Sequence, residues 1–121
     1  MANIDGDKLR GHLETLILAT LERAGEAHGL EILRRLEAGG SGLLKLKEGS
    51  LYPALYRLES AGEIAGAWEK DQAGRRGARR RLYRLTPKGG RKLQRGRGEW
   101  QTFVDTISQI LACVISPSRP V

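Results

Sequence analysis

The residues best able to do chemistry lie in and just before one short stretch, GSLYPALYRLESAGEI, residues 49–64. Its leucines recur at helical spacing, and hydroxyl, aromatic and guanidinium side chains occupy positions between them. Such groups donate hydrogen bonds to phosphates and to the edges of bases. The pattern alone fits two structures equally: a helix that enters the major groove of DNA, or a surface helix whose tyrosines cover the core. The groove interpretation assigns DNA contacts to Lys45, Lys47, Ser50, Tyr52, Pro53, Tyr56 and Arg57.

A second concentration of basic side chains follows that stretch and carries most of the net charge. The 121 residues have a formal charge of +7 and a pI near 10.1. Residues 70–97 hold twelve basic side chains and one acidic side chain. This balance indicates a polyanionic partner, either a nucleic acid or an acidic membrane surface, although a basic run is often only a solvated face. Five arginines cluster at the predicted hairpin tip and could reach backbone phosphates or a minor groove. They are Arg75, Arg76, Arg79, Arg80 and Arg81.

Enzyme chemistry finds little support in the remaining residues. His12 and His28 are the only histidines and Cys113 is the only cysteine, so the sequence offers no internal disulfide and no metal ligands at the usual spacing. The glycine clusters match neither a P-loop nor a dinucleotide-binding fingerprint. We therefore expect no catalytic residues, no metal and no cofactor. His28 is expected to begin a helix or to pack in the core, and Cys113 to be a small apolar residue of a helix.

Three helices are predicted before the basic segment. The first ends at Gly25, and the second covers about residues 29–38, with Leu30 among its inward-facing leucines. In the third, Ser50 is expected to be the N-cap. That places Pro53 in the first turn, where the missing N–H breaks no hydrogen bond.

A β-hairpin and a long helix are predicted to complete the chain. Strands are expected at residues 64–70 and 80–86, joined by a long basic tip. Trp68, on the first strand, is expected to pack beneath this hairpin. Thr86 followed by Pro87 is a standard helix start, with a cap and a first-turn proline. The order of elements predicts a mainly α (α+β) domain.

The final helix carries a heptad-like apolar seam. Interior glycines cost a helix about 1 kcal/mol each relative to alanine, so we expect this helix to be weak or bent between Gly89 and Gly98. A lone helix with its seam exposed would be prone to aggregate, and we therefore favour a partner helix from a second copy over packing within one domain. The seam residues, predicted to form the dimer contact, are Leu93, Trp100, Phe103, Ile107, Ile110 and Val114.

Together these motifs resemble the PadR-like family of bacterial transcriptional regulators. They are LRGHLETLILATL near the start of the chain, HG at residues 28–29, GSLYPALYRLESAGEI, and RRLYRLTPKG after the basic tip. The chain looks like the smaller subtype, which has a single C-terminal helix. The resemblance implies a winged helix-turn-helix homodimer in the bacterial cytoplasm that represses transcription from a pseudo-palindromic operator on double-stranded DNA. It also implies that the final helix, with part of the first, forms the dimer interface.

The resemblance further implies a division of the chain and an effector site. We expect a winged helix-turn-helix DNA-binding domain over residues 1–86, a dimerisation helix of the same domain over 87–115, and a flexible tail over 116–121. Some relatives bind flat aromatic or drug-like molecules at the dimer interface, which would place a small aromatic effector at Trp100 and Phe103. The alternative, which a tryptophan in an apolar seam favours, is that these rings are core residues.

Two other functions fit parts of the pattern. A nonspecific nucleic-acid-binding module would use the basic segment without preferring any sequence. A helical protein-interaction adaptor would bind an acidic protein and never touch DNA. The sequence shows no uninterrupted apolar run typical of a signal peptide or a transmembrane span, so we expect a soluble cytoplasmic protein without membrane contact.

Overall fold

The computed structural model describes residues 11–41, 44–70 and 80–112, and its elements follow the predicted order with one addition. Four α-helices and three β-strands lie within these ranges. The fold is mainly helical with a small antiparallel sheet, as predicted. In chain order the elements are α1 Leu13–Ala24, β1 Glu26–His28, α2 Gly29–Gly39, α3 Glu48–Ser60, β2 Ile64–Trp68, β3 Arg81–Leu85 and α4 Pro87–Leu111.

The core lies between the first three helices and the inner face of the sheet. Burying a leucine or isoleucine side chain contributes about 1.5–3 kcal/mol to the stability of the fold. The apolar stripes of the helices therefore determine how the helices pack. Leu30 was expected to point inward but is 39 % exposed. Each helical residue turns by about 100°, which puts Leu30 beside the buried stripe of α2 rather than on it. The largest fully buried side chains are Ile17, Leu18, Leu21, Ile32, Leu51, Leu55, Leu58, Ile64 and Leu93.

The sheet contains a strand that the sequence pattern did not predict. β1 has only three residues and pairs antiparallel with β3, with Ala27 opposite Tyr83. β2 and β3 form the predicted hairpin, with Gly66 opposite Tyr83 and Trp68 opposite Arg81. The strand order is therefore β1-β3-β2. Since β3 is central, the hairpin is attached to the segment that leads into α2.

The start of α3 differs from the prediction. Lys47, not Ser50, is the N-cap residue, and the backbone N–H groups of Ser50 and Leu51 both donate to the Lys47 carbonyl, at 3.0 and 3.1 Å. The first turn has therefore closed before Pro53, which lies inside the helix. Because proline has no N–H, the Gly49 carbonyl receives no bond from residue 53. Gly49 is exposed, so water can solvate that carbonyl and the proline is tolerated.

α4 is one unbroken helix of 25 residues, and its glycines do not interrupt it. Thr86 caps it as predicted, because its hydroxyl oxygen accepts from the Gly89 N–H at 3.1 Å. A Cβ on Gly89 would lie 1.9 Å from the Glu63 carbonyl oxygen, and one on Gly96 would lie 2.6 Å from the Thr15 hydroxyl oxygen. Two of the glycines expected to weaken the helix, Gly89 and Gly96, therefore allow it to lie closely against the residue before β2 and against α1.

The lengths and compositions of the described helices can be compared with the expectation that the sequence has no transmembrane span. None of them combines the length with the apolar character needed to cross a bilayer. The division into residues 1–86, 87–115 and 116–121 stays a prediction. Val114, and with it the predicted end of the seam, lies outside the described residues.

Candidate nucleic-acid interface

The two sides of α3 differ in both burial and chemistry. Leu51, Leu55 and Leu58 are buried against the core. On the accessible side, Tyr56 is the most exposed large hydrophobic residue of the helix, at 74 %. The residues of α3 that were predicted to contact DNA are all exposed, and they are Ser50, Tyr52, Pro53, Tyr56 and Arg57.

Tyr52 is less free than Tyr56, because its ring lies against the start of α2. A Cβ added to Gly29 would lie 2.7 Å from Tyr52 Cε1 and 2.9 Å from its hydroxyl oxygen. The glycine of the HG pair therefore leaves room for the tyrosine ring. Tyr52 in this way joins α2 to α3, the two helices of the helix-turn-helix unit.

The segment before α3 alternates between buried and exposed side chains. Leu44 and Leu46 are buried, while Lys45 and Lys47 are exposed. The leucines hold this segment to the core, and the lysines therefore project into solvent beside the N-terminus of α3. The unpaired N–H groups at a helix N-terminus add partial positive charge, which Glu48 in the first turn partly offsets.

Arg57 is exposed, yet it is tied to α1 by a carboxylate. Its Nε donates to Glu14 Oε2 at 3.0 Å. The other oxygen of Glu14 accepts from Lys92 Nζ of α4 at 2.7 Å, and Lys92 also donates to Glu63 at 3.0 Å. One series of charged groups therefore connects α3, α1 and α4. No pattern in the sequence indicates Glu14 as the partner of Arg57.

These contacts favour the charged forms of Glu14 and Lys92. Burial opposes the charged form of Glu14, but hydrogen bonds from Lys92 and Arg57 outweigh it and lower the pKa of Glu14 from its ordinary value of 4.5. Burial likewise opposes the charge of Lys92, while its bonds to Glu14 and Glu63 raise the pKa of Lys92 above 10.5. The bond between Lys92 and Glu14 therefore persists near neutral pH.

The wing, meaning the hairpin of β2 and β3, places one predicted DNA-contacting arginine beside a carboxylate. Arg80 donates to Glu69 Oε1 from its backbone N–H at 3.1 Å and from Nε at 3.4 Å. The other oxygen of Glu69 lies 3.6 Å from His28 Nε2. His28 is the N-cap residue of α2, as expected, and its buried Nδ1 has no hydrogen-bond partner in the described part of the chain. The other predicted wing contacts lie outside the described residues, namely Arg75, Arg76 and Arg79.

Trp68 does not pack beneath the wing as expected. It is 58 % exposed, and the guanidinium of Arg81 covers one face of its ring at 5.2 Å from the ring centre. Burial decreases along β2 from Ile64 outward, and Trp68 occupies the last position. The strand therefore carries Trp68 beyond the core side chains that would have covered it.

The seam of α4 is divided between the core and the surface. Leu93 packs in the core, whereas the rest of the described seam is between 38 % and 75 % exposed. The Trp100 and Phe103 rings are stacked, with centroids 5.7 Å apart, and His12 of the segment before α1 meets Trp100 edge-on at 5.1 Å. We call the exposed part of the seam, together with the adjacent exposed Leu111, the apolar strip, and it consists of Trp100, Phe103, Ile107, Ile110 and Leu111.

An open groove runs along α4 beside the apolar strip. It is shallow and largely open to solvent. Phe103 lines it, whereas Trp100, the other residue predicted to bind an effector, does not. No group of three or more potential metal ligands occurs among the described residues. The groove is lined by Arg95, Gly98, Glu99, Thr102 and Phe103.

The geometry defines a class of protein. Two helices joined at Tyr52 and Gly29, an exposed polar face on the second, and a hairpin behind it form a winged helix-turn-helix unit of the DNA-binding kind. Residues 17–95 match the sequence model of the transcriptional regulator PadR-like family, and the chain belongs to that family. It is therefore a DNA-binding transcriptional regulator and not an enzyme.

Solved structures agree with this assignment, and a curated relative is similar over most of the chain. A transcriptional regulator from Clostridium thermocellum has a TM-score of 0.76 and 31 % identity, covering 86 % of this chain and 97 % of that one. A PadR family transcription regulator from Clostridium difficile R20291 has a TM-score of 0.70 and 32 % identity, covering 84 % and 99 %. An uncharacterised protein of Lysinibacillus sphaericus is 29 % identical over 104 residues, or 86 % of this chain and 92 % of the relative.

Proposed function

We propose that this regulator is a homodimeric repressor that binds a pseudo-palindromic site on double-stranded DNA. The exposed face of α3 is the observation that carries the proposal. It presents hydroxyl groups, two aromatic rings and a guanidinium over a buried leucine stripe. A helix with such a face fits the major groove, where each base pair shows a distinct set of donors and acceptors. Tyr56, the most exposed of these residues, is the first candidate for a base contact.

Backbone phosphates would be held on either side of α3. Lys45 and Lys47 precede the helix and are exposed. Arg57 lies at the edge of the same face, where its bond to Glu14 fixes its position. Phosphate contacts set the register and orientation of a protein on the duplex, and base contacts then select the sequence. The wing would supply the remaining phosphate contacts from Arg75, Arg76, Arg79 and Arg80.

A second copy of the chain would cover the apolar strip. An exposed series of large apolar side chains at heptad-like spacing is typical of a helix that pairs with another helix. Leu93, at the core end of the seam, would stay inside its own domain. A two-fold dimer presents two copies of α3, which accounts for the proposed symmetry of the operator. Repression follows from the family resemblance, and a promoter-reporter assay with and without the protein tests it.

The first test is selection of random duplex DNA by the purified protein, followed by sequencing of the bound fraction. A two-fold-symmetric motif is expected, and its spacing would give the distance between the two α3 helices. Tyr56→Ala protein is the matched variant, expected to retain DNA but to lose the motif. Enrichment without a motif, lost at modest salt, would instead support a nonspecific nucleic-acid-binding module. If the protein retains no duplex at all, the alternative function as a protein-interaction adaptor would be supported instead.

A small aromatic effector is a second proposal, supported by the groove beside the apolar strip. Phe103 both lines that groove and stacks on Trp100, so a flat ring bound there would alter the surroundings of the tryptophan. Trp68→Phe protein retains Trp100 as its only tryptophan and isolates its fluorescence. Titration with flat aromatic cations should quench that fluorescence saturably. Unchanged fluorescence across a broad panel would contradict the effector site.

A further inference from the structure

Arg81 contacts three residues, and one of these contacts joins the wing to α3. Its Nη2 donates to Glu59 Oε2 at 2.5 Å and to the Gly66 carbonyl at 3.3 Å. Its guanidinium also lies over the Trp68 ring. Glu59 belongs to the last turn of α3, whereas the other three residues belong to the wing. The Glu59 and Arg81 side chains are each 31 % exposed, so solvent screens their attraction only in part.

Gly66 provides the space that this ion pair occupies. A Cβ at that position would lie 2.7 Å from Arg81 Nε and 2.9 Å from Glu59 Oε2. Gly66 faces the same side of the sheet as Tyr83 and Arg81, because side chains alternate along each strand. Any side chain at residue 66 would therefore push the pair apart. The close approach accounts for a glycine in the middle of a strand.

The contacts also change what Arg81 can do with DNA. The hydrogen bond to Glu59 raises the pKa of Arg81, which keeps the guanidinium charged but opposite a carboxylate. Arg81 is 31 % exposed, whereas Arg57 and Arg80, which also contact carboxylates, are each 58 % exposed and can reach a phosphate more readily. A phosphate bound to Arg81 would displace Glu59 and leave that carboxylate facing the same polyanion. Arg81 is thus better placed to hold the wing than to hold DNA.

We propose that Arg81 is a positioning residue which, together with Glu59 and Gly66, sets the angle of the wing against α3. The inference rests on the proposed function, in which α3 and the wing contact one duplex at the same time. Fixing their relative orientation before binding removes an entropic cost that would otherwise be incurred when both elements contact the duplex together. The ion pair fixes this orientation at the outer end of the paired strands, where Arg81 lies opposite Trp68.

Binding to the selected duplex at several salt concentrations separates positioning from phosphate contact. Glu59→Gln and Arg81→Gln should each weaken binding by about three- to tenfold. The salt dependence should not change, because neither variant alters the number of phosphate contacts. If Glu59→Gln instead tightens binding and steepens the salt dependence, Arg81 is a restrained phosphate ligand and the proposal is wrong. It is equally wrong if both variants bind like the wild type.

Two further variants exclude effects of charge and folding. Glu22→Gln removes a carboxylate from the exposed pair with Arg97 and changes the net charge by the same amount, yet should leave affinity unchanged. The double variant Glu59→Arg/Arg81→Glu restores opposite charges and should recover most of the lost affinity, which a general loss of stability would not allow. A double variant no better than the single ones contradicts the proposal.

A measurement without DNA keeps this inference separate from the proposed function. Protein labelled with 5-fluorotryptophan has two fluorine resonances, and Trp68→Phe identifies the one from Trp68. Glu59→Gln should shift the Trp68 resonance, because Arg81 leaves its ring, while the Trp100 resonance stays in place. An unmoved Trp68 resonance overturns the positioning role. If no duplex is bound by the wild type, the proposed function fails, but this readout still decides whether the ion pair holds the wing.

Discussion

α3 and α4 both begin against the same core, but the surfaces they leave exposed have opposite chemistry. α3 exposes hydroxyl groups, tyrosine rings and an arginine over its leucine stripe. α4 exposes a tryptophan, a phenylalanine, two isoleucines and a leucine in its C-terminal half. A polar face suits a hydrated polyanion, whereas an apolar strip suits another protein surface from which water is expelled. These surfaces support the proposal that α3 contacts DNA and that α4 contacts a second copy of the chain.

Placing a charge in the apolar strip should have the largest effect. Ile107→Glu would bury an unpaired carboxylate in the proposed dimer contact, at a cost of about 3–5 kcal/mol. We expect the protein to sediment as a monomer and its affinity for a two-fold operator to fall by more than about 100-fold. Gln109→Glu adds the same charge on the opposite side of α4 and should leave the dimer intact. If Ile107→Glu and Gln109→Glu proteins sediment alike, the apolar strip is not the dimer contact.

Changing the α3 face should affect sequence discrimination rather than assembly. Tyr56→Ala is expected to reduce the difference in binding free energy between the operator and random DNA by about 1–3 kcal/mol, if a base contact is lost. Competition titrations measure that difference, and sedimentation should show an unchanged dimer. Tyr56→Phe separates the hydroxyl from the ring. Equal weakening on both DNAs would argue against a base contact.

Removing arginines from the wing should distinguish contacts with phosphates from contacts with bases. The double change Arg75→Gln/Arg76→Gln is expected to weaken binding to all sequences by about 1 kcal/mol and to lower the slope of log K against log salt by about two. Titration of operator and random duplexes at four or more salt concentrations gives both values. A change confined to the operator would mean that these arginines contact bases.

The smallest expected effect concerns Glu14, which connects the two helices through Arg57 and Lys92. The pKa of Glu14 is lowered in the folded protein, so its contribution to stability is present above the ordinary value of 4.5 and disappears as pH falls through the folded value. Glu14→Gln should therefore lower the unfolding free energy at pH 7 by about 0.5–1 kcal/mol. Denaturant unfolding should show this difference shrinking below pH 4.5. A difference independent of pH would mean that packing, not charge, is lost.

The elements that could be predicted from the sequence are those with a local chemical cause. Alternation marked the hairpin, Thr86 marked the start of α4, and Gly25 has the positive φ of 82° that lets it end α1. β1 was missed because three residues are too few to show a period, and it exists only through pairing with β3. The start of α3 was misplaced because Ser50 and Pro53 both favour a helix start, yet the Lys47 carbonyl already accepts the first bonds.

The sequence was enough to predict which residues of the candidate interface are exposed. It was not enough to predict the carboxylates that its arginines contact. The spacing of the leucines was enough to predict which side of α3 is exposed. The carboxylates that hold the arginines could not be predicted, because Glu14, Glu59 and Glu69 lie 43, 22 and 11 positions from their partners. Contacts between residues so far apart depend on how the elements pack and leave no periodic pattern. Counting arginines therefore overstates how many are free to meet phosphate.

The contact of Gly89 with the Glu63 carbonyl has a consequence for operator length. The same carbonyl accepts from the Thr86 N–H at 3.3 Å, and Lys92 holds the Glu63 side chain, so the first turns of α4 are fastened to the base of the wing. In a dimer joined through α4, the number of residues between Gly89 and the apolar strip would then set the distance between two half-sites. Each residue inserted there advances a helix by about 1.5 Å and turns it by about 100°. Half-site spacing would thus be encoded in the length of one helix.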